Sequence, residues 1–229
     1  MKWQGRRGSR NIEDRRRMSG GKVAGVGGIG ALVIVLIGAF MGVDVSSLLN
    51  SPGAGGQISV GGGGELTAAD KKAGEFVSVT LADTEEIWSK VFRDQVGQPY
   101  KPVTLVLFKG ATRSACGGAN GATGPFYCPG DKKVYLDTAF FTTLARQMGA
   151  KGDFAAAYVV AHEVAHHVQD ELGILGQANR IRQQVDTEKS NAISVRIELQ
   201  ADCYSGIWAR HAQEQLGSIE RGDVAEAMN

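Results

Sequence analysis

The sequence is poor in the residues that would place it in several function classes. Only three of its 229 residues are cysteine, and none are spaced C-x-x-C, which argues against a zinc pair built from thiolates. Aromatic residues make up 7% of the chain. Its 32 glycines follow no period, which excludes a collagen-like rod. No internal repeat, nucleotide-cradling glycine loop or Ser-His-Asp arrangement is present. The net charge is only +1, so the chain lacks the basic excess that nucleic-acid binding requires, and no nucleic acid is expected as a partner. The length suits one mid-sized domain with an appendage, and 43% hydrophobic residues against 21% charged ones excludes wholesale disorder.

The small net charge hides an asymmetry. Residues 1–22 carry +6 and the remainder −5. The run from Val23 to Val43 holds no charged residue. As a helix of ~1.5 Å rise per residue it would span about 31 Å, the thickness of a bilayer core. It is long for a signal-peptide core, and no A-x-A cleavage site follows it. The segment is therefore expected to be an uncleaved transmembrane helix. The positive-inside rule then keeps residues 1–22 in the cytoplasm and puts everything after Asp44 on the far side of the membrane. Residues 44–64, rich in Gly, Ser and Pro, are expected to be a flexible linker. The folded domain is expected over residues 65–229.

Within that domain a helix is predicted over Thr67–Gln95, started by Thr67 and Asp70, with Asp83 as a break point. Val103–Phe108 and Val134–Leu136 read as strands. Helices are predicted from Asp137 to about Met148, over Phe154–Leu172, and over most of Gln177–Met228. Helix, strands, then helices indicate an α+β fold.

The helix over Phe154–Leu172 contains His162-Glu163-Val164-Ala165-His166, an H-E-x-x-H sequence. Histidines at i and i+4 lie on one helical face, so both imidazoles can reach one ion. The glutamate between them is placed as general base for a water activated by that ion, and one Zn2+ suits the donor set. His167 points off this face. The apolar run Ala155–Ala161 before the motif indicates a buried helix.

A third ligand is needed. Positions 169 and 172 are Gln and Leu, which excludes the class whose third ligand is a histidine in H-E-x-x-H-x-x-G-x-x-H. Glu198 and Asp202, about thirty residues on, are spaced i and i+4. Glu198 is read as the third ligand and Asp202 as the acceptor that orients a ligating histidine. Glu188 is the other candidate, but it lacks an acidic partner four residues later.

These segments carry a resemblance. The basic start MKWQGRRGSRNIEDRR, the uncharged run, the loop S-A-C-G…Y-C-P-G-D leading to VYLDTAFF, YVVAHEVAHHVQ and VRIELQADCYSGIWA together resemble the bacterial "putative neutral zinc metallopeptidase" family of the YpfJ type. The resemblance implies a zincin-like metallopeptidase domain, helices with a small β-sheet, carrying a gluzincin-type zinc site. Members of that family continue with more helix and a further histidine-containing segment, whereas this chain stops at Asn229 in what reads as mid-helix.

In zincin folds an edge strand above the active helix pairs with extended substrate backbone. Val134, Tyr135 and Leu136 are the expected edge here. Tyr204 and His211 are the candidates for stabilising an oxyanion, but neither is assigned, because Tyr204 is only two residues from Asp202 and so points elsewhere, and His211 lies about three and a half turns beyond Glu198. Cys116 and Cys128 bracket a short Gly- and Pro-rich loop and are expected to form a disulfide, with two free thiols as the alternative. Cys203 reads as a small buried hydrophobe. The expected function is peptide-bond hydrolysis, with a peptide or protein as substrate. The alternative is a catalytically silent zinc-binding adaptor or chaperone-like protein tethered to the membrane.

Overall fold

A computed structural model describes residues 1–17, 65–120, 123–141, 144 and 152–228. The elements are, in chain order, β1 (Ile12–Asp14), α1 (Ala68–Val91), β2 (Thr104–Phe108), β3 (Ala111–Ser114), β4 (Gly117–Asn120), β5 (Phe126–Cys128), β6 (Lys133–Asp137), α2 (Asp153–Glu171), α3 (Ile174–Arg182), α4 (Thr187–His211) and α5 (Arg221–Met228). The architecture is mixed α+β.

The central strands are apolar on both faces because both faces are covered. β2 and β6 pair in parallel, with Leu105 opposite Val134 and Leu107 opposite Leu136. The period-2 alternation of a strand sends Leu105, Leu107, Val134 and Leu136 into the main core with α1, α2 and α4. It sends Val106, Phe108 and Tyr135 to the other face, against Ala119, Phe126 and Cys128. The four-stranded sheet has the order β1-β2-β6-β5, and β3 and β4 form a separate hairpin.

α1 begins as its sequence dictates. The Thr67 hydroxyl accepts from the Asp70 backbone N–H, and the Asp70 carboxylate accepts from that of Thr67, a reciprocal capping box. The helix then runs through Asp83 without a break. Asp83 is 4% exposed and is held by Arg6 at 2.5 Å. After Val91 the backbone widens into a π-turn that ends at Gly97, whose φ of 73° requires a glycine-like conformation. Half of the helix expected from Asp137 to about Met148 lies outside the described residues, and Asp137, its expected start, is the last residue of β6.

The first residues of the chain belong to this body. β1 pairs in parallel with β2, Ile12 opposite Leu105. Trp3 is 2% exposed, packs edge-on to Phe76 at 5.5 Å and donates from its indole to Asp153 at 2.6 Å. Arg15 and Arg16 pair with Glu13 and Asp14, and a guanidinium N–H of Arg16 reaches the Asp70 carbonyl. These arginines, expected to be a topogenic signal, are ion pairs of the fold.

This arrangement overturns the expected localisation. Strands on opposite sides of a membrane cannot share a hydrogen-bonded ladder, so residues 12–14 and the sheet they join lie on one side. Among the described residues no helix is long and apolar enough to cross a membrane. The expected transmembrane segment 23–43 and the expected linker 44–64 lie outside the described residues.

Candidate metal centre

α2 and α4 carry the candidate site. α2 follows Gly152 and ends at Leu172 before Gly173, whose φ is 75°. Alanines at 155, 156, 157, 161 and 165 favour the helix and present a low, buried surface. α4 starts where the Asp186 carboxylate accepts from the Lys189 backbone N–H. Its buried side chains include only small residues, Ala201 and Ser205, before Trp208. Small residues on both partners permit the close approach of backbones that brings their functional side chains together.

Nε2 of His162 and Nε2 of His166 each lie 3.2 Å from Oε2 of Glu198. The rings stand nearly perpendicular, 88°, with centroids 4.8 Å apart. One donor atom from each of the three residues lies within 4.8 Å of the others. The opposite nitrogen of each ring is also occupied. Nδ1 of His162 faces Oδ1 of Asp202 at 3.0 Å, and Nδ1 of His166 faces Oε1 of Gln169 at 2.9 Å. An acceptor at Nδ1 holds the ring proton there and leaves the Nε2 lone pair free.

The donor set fits zinc. Two imidazole lone pairs and a carboxylate oxygen converge on one point, and only a cation reconciles three such acceptors. Without a metal, protons must do so. Burial works against an imidazolium at His162, but the Asp202 and Glu198 carboxylates override it and push its pKa up to about 10. Burial likewise works against the Glu198 carboxylate, and the two histidines bring it down to about 2.

Glu163 is fully buried, and neither carboxylate oxygen meets a donor within hydrogen-bonding geometry, although the backbone N–H of Tyr127 is near enough to draw its pKa down. Burial pushes its pKa up, against the pull of His162 and His166. An orphaned buried carboxyl is costly and rare, and it marks a place where a further polar group is received.

The remaining expected residues divide. Cys116 and Cys128 are joined in a disulfide. Cys203 is exposed rather than buried. Val134, Tyr135 and Leu136 do not form an edge: β6 is interior, paired by β2 on one side and β5 on the other. The strand is short and apolar because it is central, a pattern that also fits an edge with one covered face. Among the described residues the edge of the sheet beside β6 is β5. Glu188 is exposed at the start of α4, away from the histidines. Tyr204 packs on Trp88, and His211 contacts Gln215, so neither reaches the cluster. His167 is buried and contacts the Lys101 carbonyl and the Tyr127 hydroxyl.

Two partners of the site escaped the sequence reading. Gln169 was legible only as a departure from another ligand pattern. Tyr158, one turn before His162, places its hydroxyl 3.2 Å from the Asp202 carbonyl and 3.4 Å from its carboxylate. Its i−4 spacing from His162 was the available signal.

Comparison with known proteins agrees in kind. The family profile described as "Putative neutral zinc metallopeptidase" matches residues 1–229. The "Uncharacterized protein YpfJ" of Escherichia coli K12 is 41% identical over 238 residues, covering 100% of this chain and 81% of that protein. The "Uncharacterized protein Mb2605" of Mycobacterium bovis is 39% identical over 186 residues, covering 77% of this chain and 61% of that protein. No solved structure matches the chain at a significant level.

Proposed function

Because the chain belongs to the neutral zinc metallopeptidase family, we propose that it hydrolyses peptide bonds at a zinc site held by His162, His166 and Glu198, in a zincin-like domain. The observation that carries this reading is Glu163: a buried carboxyl without a partner, beside three converging donors. Zinc, when bound, supplies a Lewis acid that polarises a peptide carbonyl and makes a water more acidic.

The protein's own residues supply the rest. Asp202 and Gln169 keep the protons of His162 and His166 on Nδ1 and so direct both Nε2 atoms inward. Glu163 takes the proton of the attacking water and delivers it to the leaving amine. Its raised pKa suits a group that must hold that proton between the two events. Extended substrate backbone pairs with the outer edge of β5, Phe126–Cys128, in place of the interior strand β6. β5 is tied to the helix of the motif by the Tyr127 hydroxyl, which donates to Asp170 at 2.9 Å.

The test pairs zinc content with turnover. The full chain should hold one zinc per molecule by elemental analysis and cleave an unstructured protein substrate. Glu163→Gln should keep the zinc and lose cleavage by 10²-fold or more, an order expected for a general base. An active Glu163→Gln protein would refute the assigned base. Zinc without any Glu163-dependent cleavage would favour the silent zinc-binding protein instead.

A further inference from the structure

Gln169 lies one turn beyond His166 on α2 and is 0% exposed. All of its side-chain polar atoms are in use. Oε1 lies 2.9 Å from Nδ1 of His166. Nε2 donates to the backbone carbonyl of Ile197 at 2.8 Å and to Oε1 of Gln200 at 2.9 Å. A backbone carbonyl only accepts, so the contact with Ile197 fixes which end of the amide is NH2. Oε1 is then the atom facing His166, and the ring must donate to it from Nδ1. The lone pair of His166 Nε2 is thereby left free, turned toward the point on which Oε2 of Glu198 also converges. Ile197 immediately precedes Glu198 on α4, and Gln200 follows two residues later. One amide therefore touches a histidine donor on α2 and both sides of the carboxylate donor on α4.

We propose that Gln169 is a positioning residue that couples the two helices of the metal site, setting the His166 tautomer and the seat of Glu198 through a single side chain. The inference rests on the zinc reading above. A glutamate or methionine of similar length cannot do both tasks. Methionine offers neither acceptor nor donor. Glutamate keeps an acceptor for His166 but turns a second acceptor onto the Ile197 carbonyl.

The experiment measures zinc affinity of the full chain by competition with a chelator, together with circular dichroism of each metal-free variant. Gln169→Met should weaken zinc binding roughly 10- to 100-fold, the usual effect of losing an outer partner of a metal ligand. Gln169→Glu should also weaken it, by several-fold, because the tie to α4 is gone although an acceptor for His166 remains. A folded Gln169→Met with zinc affinity within threefold of the parent would overturn the proposal. So would Gln169→Glu equal to the parent, since His166 orientation would then be the whole effect. Nitrogen-15 NMR of the zinc-loaded parent needs no variant. His166 should coordinate through Nε2 and show a slowly exchanging Nδ1–H, and coordination through Nδ1 would refute the assignment. A parent chain that binds no zinc would sink the zinc reading itself. A parent that binds zinc while the variants are unaffected sinks only the role of Gln169.

Discussion

Asp202 holds His162 from behind: its Oδ1 lies 3.0 Å from Nδ1 of the ring, while the Nε2 of that ring faces Glu198 one turn earlier on the same helix. A single helix thus supplies a donor to the site and the acceptor that aims a second donor into it. Asp202→Ala removes the aim without touching the donors. It should weaken zinc binding roughly 10- to 100-fold, and Asp202→Asn, which keeps an acceptor, should weaken it less. Chelator competition on the two variants checks the order. Equal affinity for Ala and parent would show that the Asp202 contact does not orient the ring.

Arg6 and Asp83 join the first residues of the chain to the middle of α1 at 2.5 Å, with the carboxylate side chain 5% exposed. Burial raises the Asp83 pKa and Arg6 opposes it. Arg6→Ala leaves that buried carboxyl uncompensated and should cost roughly 3 kcal/mol by urea unfolding. Adding Asp83→Asn should recover part of the loss. A fragment that starts at Glu65 should fare worse, because it lacks β1 and bares the apolar edge of Thr104–Phe108. Sedimentation should show it aggregating where the full chain does not.

Asp70 gives the pH dependence of the capping box. Its hydrogen bond from Thr67, with burial opposing and Lys109 assisting, lowers its pKa from 3.8 to about 2. A carboxyl whose pKa is depressed by folding stabilises the protein above its unfolded value, and the contribution fades as pH falls through the folded one. The stability gap between the parent and Asp70→Ala should be constant above about pH 4, at roughly 1 kcal/mol for a lost cap. It should close as pH falls toward about 2. Denaturant midpoints measured across that range decide the matter, and a gap that persists at low pH would remove Asp70 from the account.

The disulfide between Cys116 and Cys128 closes a short loop, with a sequence separation of 12. In the loop-entropy model that stabilises by roughly 3 kcal/mol. Cys116→Ser should lower the melting temperature, and the drop should match that of the reduced parent. Intact mass under denaturing, non-reducing conditions should show one thiol open to alkylation, that of Cys203.

Much of this molecule was legible where chemistry is local. The capping box of Thr67 and Asp70, the helix around His162 and the apolar strands Thr104–Phe108 and Lys133–Asp137 all announce themselves within a few residues. What was not legible depends on distant pairing. Ile12–Asp14 is three residues long and two of them are charged, so nothing in it signals a strand until β2 is beside it. The arginines around it read as a membrane signal because their acidic partners look unremarkable in sequence. A run of three apolar residues such as Val134–Leu136 does not say how many neighbours it has, so an edge strand and an interior one look alike there. Gln169 carries little signal in the sequence because a buried amide has no spacing rule. Its meaning comes from the Ile197 carbonyl, which only the packing of α2 on α4 brings near.

The pairing of β1 with β2 also sets an order of events. The strand made first meets a partner synthesised about ninety residues later, and the two run parallel. Closing such a loop costs on the order of 4 kcal/mol in chain entropy before any ladder bond repays it. Pairing of this kind is slow compared with the formation of local turns and helices. During synthesis, therefore, Thr104–Phe108 emerges with both sides open, since β6 is made later still, and its β1 side stays open until Ile12–Asp14 returns. The speed of that return, more than the final stability of the sheet, governs how long a newly made chain is exposed to self-association.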